Sequence, residues 1–533
     1  MSTLNNEQLQ AVNSDAKNIL CLAGAGAGKT KTMLDRISRL VTDGVVPSSI
    51  LALTFTNAAA AEMKSRYEKL NLGAETPEFR TFHSFCYSVL CKDADVRNAL
   101  GYITVPAIAS EEQVKAIKEN ARAQCKITMS DEKMKKRDLL PKKDQYQIDL
   151  YLKAVKRLMQ SEGIITFDEL NSEVAALFAE DNPATDKYKD KYKHLFVDEF
   201  QDTDRYQVSF LNSFPNTNFY YCGDCLQNIY SFRGTSNEYI KELSIDDHWE
   251  KIRLFTNYRS TNQICAYANS FSESYADESY RIEMQGIRDG EDVVIKPVGN
   301  ISQRDCIDKF DIADVLREKS KLQGTTAILC RTNKEVSAVI EYLSQNGIDY
   351  TTGRSTKIPQ LLDCTLSDTY MLGWLASYLS SNKYGEYIRL SSQVENPDLY
   401  WFLRIYGGVQ QIADDVRIIM SLRAIAGGAD SMEDKLKLAA TLLGLKSIEL
   451  PDKDYFGVEF LQYLKDAVTT IKSSELYVGT VHSVKGLEYD NVFVMNAGTS
   501  NFPLYNEDMM NLFYVAITRA KNRLYVYRAD NTF

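Results

Sequence analysis

The chain has 533 residues, of which 44% are hydrophobic and 25% are charged, and its formal net charge is −10. This length exceeds what one hydrophobic core ordinarily organises, so several domains are expected. Without a bilayer-length apolar stretch or a signal-peptide pattern, and with ten dispersed cysteines, the composition argues against a membrane protein or a disulfide scaffold. We therefore expect a cytoplasmic protein with no membrane partner.

A glycine-rich run near the N-terminus predicts a phosphate-binding loop. It follows the apolar segment 18–22 and precedes apolar residues at helical spacing from Met33 onward. In this order of strand, loop and helix, backbone N–H groups and the helix N-terminus face phosphate oxygens. Lys29 is expected to reach the β- and γ-phosphates of ATP, and Thr30 to ligate Mg²⁺. The predicted nucleotide-binding run comprises Ala23, Gly24, Ala25, Gly26, Ala27, Gly28, Lys29, Thr30 and Lys31.

The rest of the chain predicts an α/β fold in which two parallel-sheet lobes are each interrupted by a mainly helical insertion. Short apolar runs ending in small or polar residues are typical of buried parallel strands. Such runs occur at 50–55, 195–198, 218–222, 326–330, 477–481, 492–495 and 524–527. The predicted domains are a first lobe over 1–90 and 181–253, its insertion over 91–180, a second lobe over 254–360 and 471–533, and its insertion over 361–470.

Two adjacent carboxylates follow one of these predicted strands. Asp198 is expected beside the phosphate loop, where it can hold Mg²⁺ through water. Glu199 is then placed to orient and deprotonate the attacking water. Most Asp-Glu pairs are surface charges, but the buried strand before this pair and the loop upstream favour a catalytic role.

Seven motifs occur in order along nearly the whole chain. They are the carboxylate pair and the segments 54–57, 81–84, 223–234, 257–260, 480–489 and 514–521, all of which follow the phosphate loop. Together they resemble the ordered motifs of superfamily 1 helicases of the UvrD/Rep type. The resemblance implies two RecA-like lobes and an ATP-dependent single-strand DNA translocase with 3′→5′ helicase activity, acting in DNA repair, replication or recombination. Its expected partners are single-stranded DNA and single-strand/duplex junctions.

The resemblance also implies roles for single residues. Gln8 matches the adenine-reading glutamine, Tyr258 the aromatic that stacks on the base, and Gln227 the γ-phosphate sensor. The implied catalytic residues are Lys29, Glu199, Gln227, Arg259 and Arg519, and Gly486 and Glu488 are implied near the nucleotide. The implied DNA-binding residues are Phe55, Asn57, His83, Tyr230, Phe232, Arg233, Thr480 and His482. The family usually has tryptophan where this chain has Phe232, so weaker stacking on a base is expected there.

Two departures from the family pattern support a second hypothesis. The second insertion is short, and only fourteen residues follow Arg519, so the usual strand-splitting hairpin is in doubt. We expect robust single-strand translocation with weak unwinding by the isolated chain. The alternative function is an ATP-gated DNA-sensing subunit of an antiphage-defence or mobile-element complex that licenses a partner nuclease. Either way the chain is a monomer or a complex subunit.

Three simpler interpretations concern single features of the chain. A nucleotide kinase shares the phosphate loop but leaves Arg259, Arg519 and the Gln227 motif unexplained. The pair Cys222 and Cys225 lacks a second ligand pair at zinc-site spacing, which favours structural cysteines. The basic stretch 133–157 is either a solvated helix face or a polyanion-binding surface.

Overall fold

The computed structural model describes residues 4–70, 72–73, 75–109, 111–130, 133–134, 137, 140–298, 309–352, 420–443, 448–451, 453–457, 459–464 and 475–529. The chain forms two compact units. The first comprises Met1–Thr256 and Ala276–Glu283, and the second comprises Asn257–Tyr275 and Met284–Phe533.

The first unit contains a six-stranded sheet in the order β3-β2-β6-β7-β1-β8 with every pairing parallel. Its strands are β1 Asn18–Ala23, β2 Ile50–Thr54, β3 Glu78–Thr81, β6 His194–Val197, β7 Asn218–Gly223 and β8 Glu250–Leu254, with the short pair β4 Ala107–Ile108 and β5 Ile164–Ile165 in the insertion. Every residue of β2 is buried, as its continuous apolar run predicts for a central parallel strand. The predicted strands of this lobe agree with the observed ones to within one residue at each end.

Parallel pairing brings the polar ends of these strands to one edge of the sheet. The phosphate loop follows β1, the Asp198–Glu199 pair follows β6, and the segment of Gln227 follows β7. β1, β7 and β6 are consecutive neighbours in the sheet. The carboxyl ends of adjacent parallel strands are where α/β proteins bind ligands, so the topology itself assembles the candidate site.

Helices complete the first unit and form most of its insertion. They span Asn6–Asn13, Lys29–Thr42, Asn57–Glu68, Phe82–Lys92, Ala94–Ala99, Glu111–Cys125, Lys142–Glu162, Phe167–Ala179, Pro183–Lys191, Arg205–Asn212 and Glu238–Ile245. The insertion has its own apolar core, in which Ile117 and Ala121 of one helix pack with Ile148, Tyr151 and Val155 of another. The expected helical character of this stretch is observed.

The second unit contains a second parallel six-stranded sheet, in the order β11-β16-β15-β12-β14-β13. Its strands are β11 Val294–Pro297, β12 Thr326–Cys330, β13 Thr351–Thr352, β14 Leu476–Thr480, β15 Tyr489–Ala497 and β16 Ala520–Arg528, preceded by the short strands β9 Thr256–Asn257 and β10 Gln285–Gly286. The helices with complete bounds are Asn262–Glu273, Lys309–Lys319, Asn333–Gln345, Met432–Leu443 and Glu507–Ile517. The second parallel sheet completes the predicted α/β class with two parallel-sheet lobes.

Much of the second predicted insertion, 361–470, lies outside the described residues. Its described part is helical over 420–427, Met432–Leu443 and 459–464. Leu422, Leu436, Phe460 and Leu464 pack there in a separate apolar core.

Candidate active site

Two glycines give the phosphate loop its shape. Gly26 and Gly28 have φ angles of 71° and 80°, a left-handed conformation that side-chain-bearing residues rarely adopt. The helix Lys29–Thr42 begins directly after Gly28, and the N–H of Thr32 donates to the Gly28 carbonyl at 3.0 Å. A Cβ at Gly28 would also lie 3.1 Å from Nε2 of Gln8. Both the turn and this close approach therefore require glycine.

Lys29 lies among three carboxylates of the same sheet edge. Burial lowers the pKa of Lys29, but the negative charges of Glu199, Asp224 and Asp198 outweigh this effect, and the pKa ends above its ordinary value. The ammonium group is therefore charged at neutral pH, as a ligand for phosphate oxygens must be.

Thr30 and Asp198 form the candidate magnesium site. The Thr30 hydroxyl donates to Oδ2 of Asp198 at 3.0 Å. Burial raises the pKa of Asp198 to about 7, and the neighbouring charge of Glu199 adds to this effect, while Lys29 and Thr30 oppose it. The described residues contain no cluster of three or more metal-ligating side chains. The Thr30 hydroxyl and the Asp198 carboxylate fit Mg²⁺, which binds one or two protein oxygens and completes its shell with phosphates and water.

Glu199 belongs to a buried hydrogen-bonded network. Its backbone is left-handed, with φ of 54°, which costs a non-glycine residue ~1 kcal/mol or more. Nε2 of Gln201 donates to Oε2 of Glu199 at 2.6 Å, and Oε1 of Gln201 accepts from the N–H of Asp224 at 3.1 Å. Asp224 in turn accepts from Nε2 of Gln227 at 2.7 Å. The network thus joins the proposed base to the proposed phosphate sensor.

No role is predicted from the sequence for Gln201 or Asp224. Gln201 follows β6, and Asp224 follows β7 within the motif 223–234. Their position at the shared carboxyl edge of neighbouring strands was the available signal. Burial raises the pKa of Asp224, an effect that Lys29 and the bond from Gln227 oppose.

Gln8 is held by its own helix cap and by the phosphate loop. Asn5 caps the helix Asn6–Asn13, its side chain accepting from the Gln8 N–H at 2.8 Å while its own N–H donates to Oε1 of Gln8 at 3.2 Å. Nε2 of Gln8 donates to the Ala27 carbonyl at 3.1 Å. Its side-chain amide therefore lies against the loop that carries Lys29.

Three aromatic residues predicted to bind DNA lie together in the first unit. Phe55 and Tyr230 stack with ring centroids 5.2 Å apart and an interplanar angle of 11°. Phe232 meets Tyr230 edge-on at 6.2 Å and is 69% exposed. The structure thus brings the segments after β2 and β7 into one aromatic cluster with a ring open to stacking.

The other DNA-binding predictions are distributed differently. Nε2 of His83 lies 3.0 Å from the side-chain amide of Asn171, whereas the side chains of Asn57 and Arg233 fall outside the described residues. In the second unit, Thr480 ends β14 and His482 lies half-buried in the turn that follows.

Arg259 and Glu488 form an ion pair within the second unit. Nε of Arg259 donates to Glu488 at 2.7 Å, and its NH1 donates to the Thr518 carbonyl at 3.0 Å. Lys521 contacts the other carboxylate oxygen of Glu488 at 2.8 Å. Partial burial raises the pKa of Glu488, but Lys521 and Arg259 outweigh this and leave it lowered. The predicted base-stacking residue, Tyr258, precedes Arg259 and is exposed.

Arg519 points into the second unit. It is 1% exposed, and its guanidinium donates to the carbonyls of Val515 at 2.9 Å and Leu487 at 3.4 Å and to the Thr518 hydroxyl at 3.1 Å. Gly486, just before Leu487, has a left-handed φ of 85°.

Two protein-family models match successive parts of the chain. The model of the UvrD/REP helicase N-terminal domain matches residues 4–247, and that of the UvrD-like helicase C-terminal domain matches residues 252–358 and 457–531. The chain belongs to the UvrD/Rep-type superfamily 1 helicases. It is therefore an ATP-dependent DNA helicase with two RecA-like lobes, as the motifs predicted.

Relatives match this UvrD/Rep-type helicase over nearly its whole length. The ATP-dependent DNA helicase PcrA of Staphylococcus epidermidis is 26% identical, and the alignment covers 99% of this chain and 84% of the relative. A probable DNA helicase II homolog of Mycoplasma genitalium is 27% identical, and the alignment covers 98% of this chain and 84% of the relative. PcrA of Staphylococcus aureus is 25% identical, with 100% and 84% covered. None of these matches supports the alternative of a nuclease-licensing subunit.

The cysteine pair of this UvrD/Rep-type helicase is buried, and neither Cys222 nor Cys225 forms a disulfide. Part of the basic stretch is neutralised, since Arg137 pairs with Asp149 at 2.7 Å and Lys156 with Glu173 at 3.1 Å. Among the described residues, none of the helices has the length and hydropathy needed to span a membrane.

Proposed function

We propose that this helicase is a 3′→5′ single-strand DNA translocase that uses ATP hydrolysis to separate strands in DNA repair, replication or recombination. The observation that carries the proposal is the short sequence separation, within the first unit, between the Glu199 network and the aromatic cluster. The Glu199 network ends at Gln227, and Tyr230, three residues later, stacks on Phe55. A nucleotide site and an aromatic cluster suited to bases thus share one short segment. The direction of travel is inferred from the family resemblance.

The proposed chemistry begins with the groups around the phosphate loop. Lys29 holds the β- and γ-phosphates, and Glu199 accepts a proton from the water that attacks the γ-phosphorus. Thr30 and Asp198 would hold Mg²⁺, and the bound ion would neutralise the negative charge of the phosphates. Gln227 senses the γ-phosphate. Gln201, Asp224 and Gln227 of this network are buried, which strengthens its electrostatic interactions.

The family resemblance supports further roles toward the nucleotide for single residues. Gln8 recognises adenine through its amide, and Tyr258 stacks on the base. Arg259 and Arg519 stabilise the charge that develops on the transferred phosphoryl group, for which a planar fork of donors is suited. Glu488 orients Arg259 through their ion pair.

The proposed DNA surface uses stacking more than hydrogen bonding to bases. Phe55, Tyr230 and Phe232 stack on bases, which is worth ~1–3 kcal/mol per base and tolerates any sequence. The other residues proposed to hold the strand are Asn57, His83, Arg233, Thr480 and His482. Such a surface selects single strands and single-strand/duplex junctions over intact duplex.

A strand-displacement assay tests the proposal. Duplexes with either a 3′ or a 5′ single-stranded overhang are mixed with the protein and ATP, and hydrolysis is followed in parallel. We expect weak displacement, confined to the 3′-overhang substrate, with hydrolysis strongly stimulated by single strands. Glu199→Gln serves as the hydrolysis-deficient control. Displacement from the 5′ overhang would overturn the direction, and DNA-independent hydrolysis would overturn the translocase.

A further inference from the structure

Gln201 is the buried centre of the network that reaches Glu199. It lies in the turn Phe200–Asp202 after β6 and is fully buried. Its amide donates to Oε2 of Glu199 at 2.6 Å and accepts from the Asp224 N–H at 3.1 Å. A carboxylate only accepts and a backbone N–H only donates, so the opposite amide orientation would place like partners together at both ends. The chemistry therefore fixes the direction of this side chain.

The surroundings hold Gln201 in place. The side-chain amide of Asn228 donates to the backbone carbonyl of Gln201. Gly223, the last residue of β7, lies so close that an added Cβ would be 2.5 Å from Oε1 of Gln201 and 2.9 Å from the tip of Ile240. The missing side chain at position 223 therefore provides the space in which the Gln201 amide lies.

We infer that Gln201 is a positioning residue for ATP hydrolysis, which fixes the Glu199 carboxylate and joins it to the segment that carries Gln227. This inference rests on the proposed role of Glu199 as the base. A charge-assisted hydrogen bond stabilises a carboxylate and also fixes the orientation of its oxygens. A misplacement of about 1 Å at a reacting group lowers rates by up to about 100-fold. Loss of Gln201 therefore acts on the chemical step and not on nucleotide binding.

The first test replaces Gln201 with methionine, which keeps the side-chain volume and removes both hydrogen bonds. With saturating single-stranded DNA, we expect kcat to fall about 10- to 100-fold while the KM for ATP stays within about threefold. Gln207→Met is the matched control, because Gln207 is also buried and bonds to the Asp204 N–H of a helix cap away from Glu199. A kcat for Gln201→Met no lower than that of the control would overturn the inference.

A double-mutant cycle separates this inference from the proposed function. In a Glu199→Gln background, adding Gln201→Met should lower the residual rate by less than about threefold, since the two residues act as one unit. An equal loss in both backgrounds would overturn the positioning role and leave Glu199 as the base. Near-normal turnover of Glu199→Gln alone would instead overturn the proposed role of Glu199 as the base.

Gly223→Ala perturbs the same amide without removing it. The added Cβ displaces the Gln201 side chain, so we expect the same selective loss of kcat, again with KM retained. This variant also decides the matter if Gln201→Met does not fold. Wild-type kcat in folded Gly223→Ala would contradict the inference, because the amide would then have moved without consequence.

Discussion

Arg36 connects protein stability to nucleotide binding, and its replacement by methionine should change both. Its NH1 donates to the carbonyls of Ala11, Val12 and Ser14 at 2.9, 3.1 and 2.9 Å. These carbonyls close the C-terminal end of the helix Asn6–Asn13, where a positive charge also stabilises the helix dipole. That helix carries Gln8, which contacts the phosphate loop. Arg36 therefore anchors the element proposed to recognise adenine.

The structure sets the size of the effect. A hydrogen bond from a charged donor contributes ~1.5–3 kcal/mol, and one nitrogen with two hydrogens cannot satisfy three carbonyls fully. We therefore expect Arg36→Met to lower the free energy of unfolding of the first unit by roughly 3 kcal/mol, since methionine keeps much of the apolar packing. If the docked fraction of the helix falls to about 10–30%, the KM for ATP rises about 3- to 10-fold. The kcat should stay within about twofold, because the chemical groups are untouched.

Denaturant unfolding and steady-state hydrolysis measure the two effects. Arg39→Met is the matched control, since Arg39 reaches the Val12 and Ser14 carbonyls at 3.2 and 3.4 Å but is more exposed and pairs with surface acids. Arg39→Met should lower the free energy of unfolding by less than ~1 kcal/mol and leave the KM for ATP unchanged. An Arg36→Met protein with reduced stability but unchanged KM would show that helix docking is independent of nucleotide binding. Unchanged stability would refute the anchoring argument itself.

Four further variants test the proposed residue roles. Lys29→Ala should abolish ATP hydrolysis but retain nucleotide-free DNA binding; stimulated hydrolysis by this variant would contradict its phosphate role. Glu199→Gln should bind ATP and turn it over very slowly, because an amide cannot accept the proton of water; normal turnover would mean another base. Arg259→Ala should lower kcat by ~10³-fold or more with a smaller change in KM, and a change in KM alone would assign it to binding only. Tyr230→Ala should weaken single-strand affinity by ~1–3 kcal/mol, measured by fluorescence anisotropy; an unchanged affinity would exclude Tyr230 from the DNA surface.

The phosphate loop and eight of the twelve strands of the two six-stranded sheets were predictable because their signals are local, whereas the short or charged strands β3, β8, β11 and β13 were not predicted. Continuous apolar runs identify buried parallel strands, and alternating glycines before Lys29 identify a left-handed loop at a helix start. The structure confirms the predicted α/β class, and Gly26 and Gly28 have the positive φ angles that such a loop needs. β15 and β16 extend beyond their predictions, because their ends are polar and gave no apolar signal.

The partners of the site residues were not predictable, since they depend on strand order. Gln201 reaches Asp224 only because β6 and β7 are neighbours. The inward orientation of Arg519 likewise depends on nearby backbone carbonyls, which carry no sequence signal. Pairing of Arg137 with Asp149 depends on the fold of the insertion. The resemblance supplied roles for residues, whereas the hydrogen bonds that constrain those roles came from the three-dimensional arrangement.

Most of the proposed catalytic groups are already hydrogen-bonded to protein, and this determines how activation can work. Glu199 is bonded to Gln201, Gln227 to Asp224, and Arg519 to backbone carbonyls. A buried polar group left without a partner costs ~1–3 kcal/mol, so each group can leave its partner only when another replaces it. Phosphate oxygens are such a replacement for a donor such as Gln227, whereas Glu199 has further carboxylate lone pairs that accept the proton of the attacking water. We therefore expect Glu199 to keep its bond from Gln201 during hydrolysis, while the donor groups exchange their resting partners for phosphate oxygens.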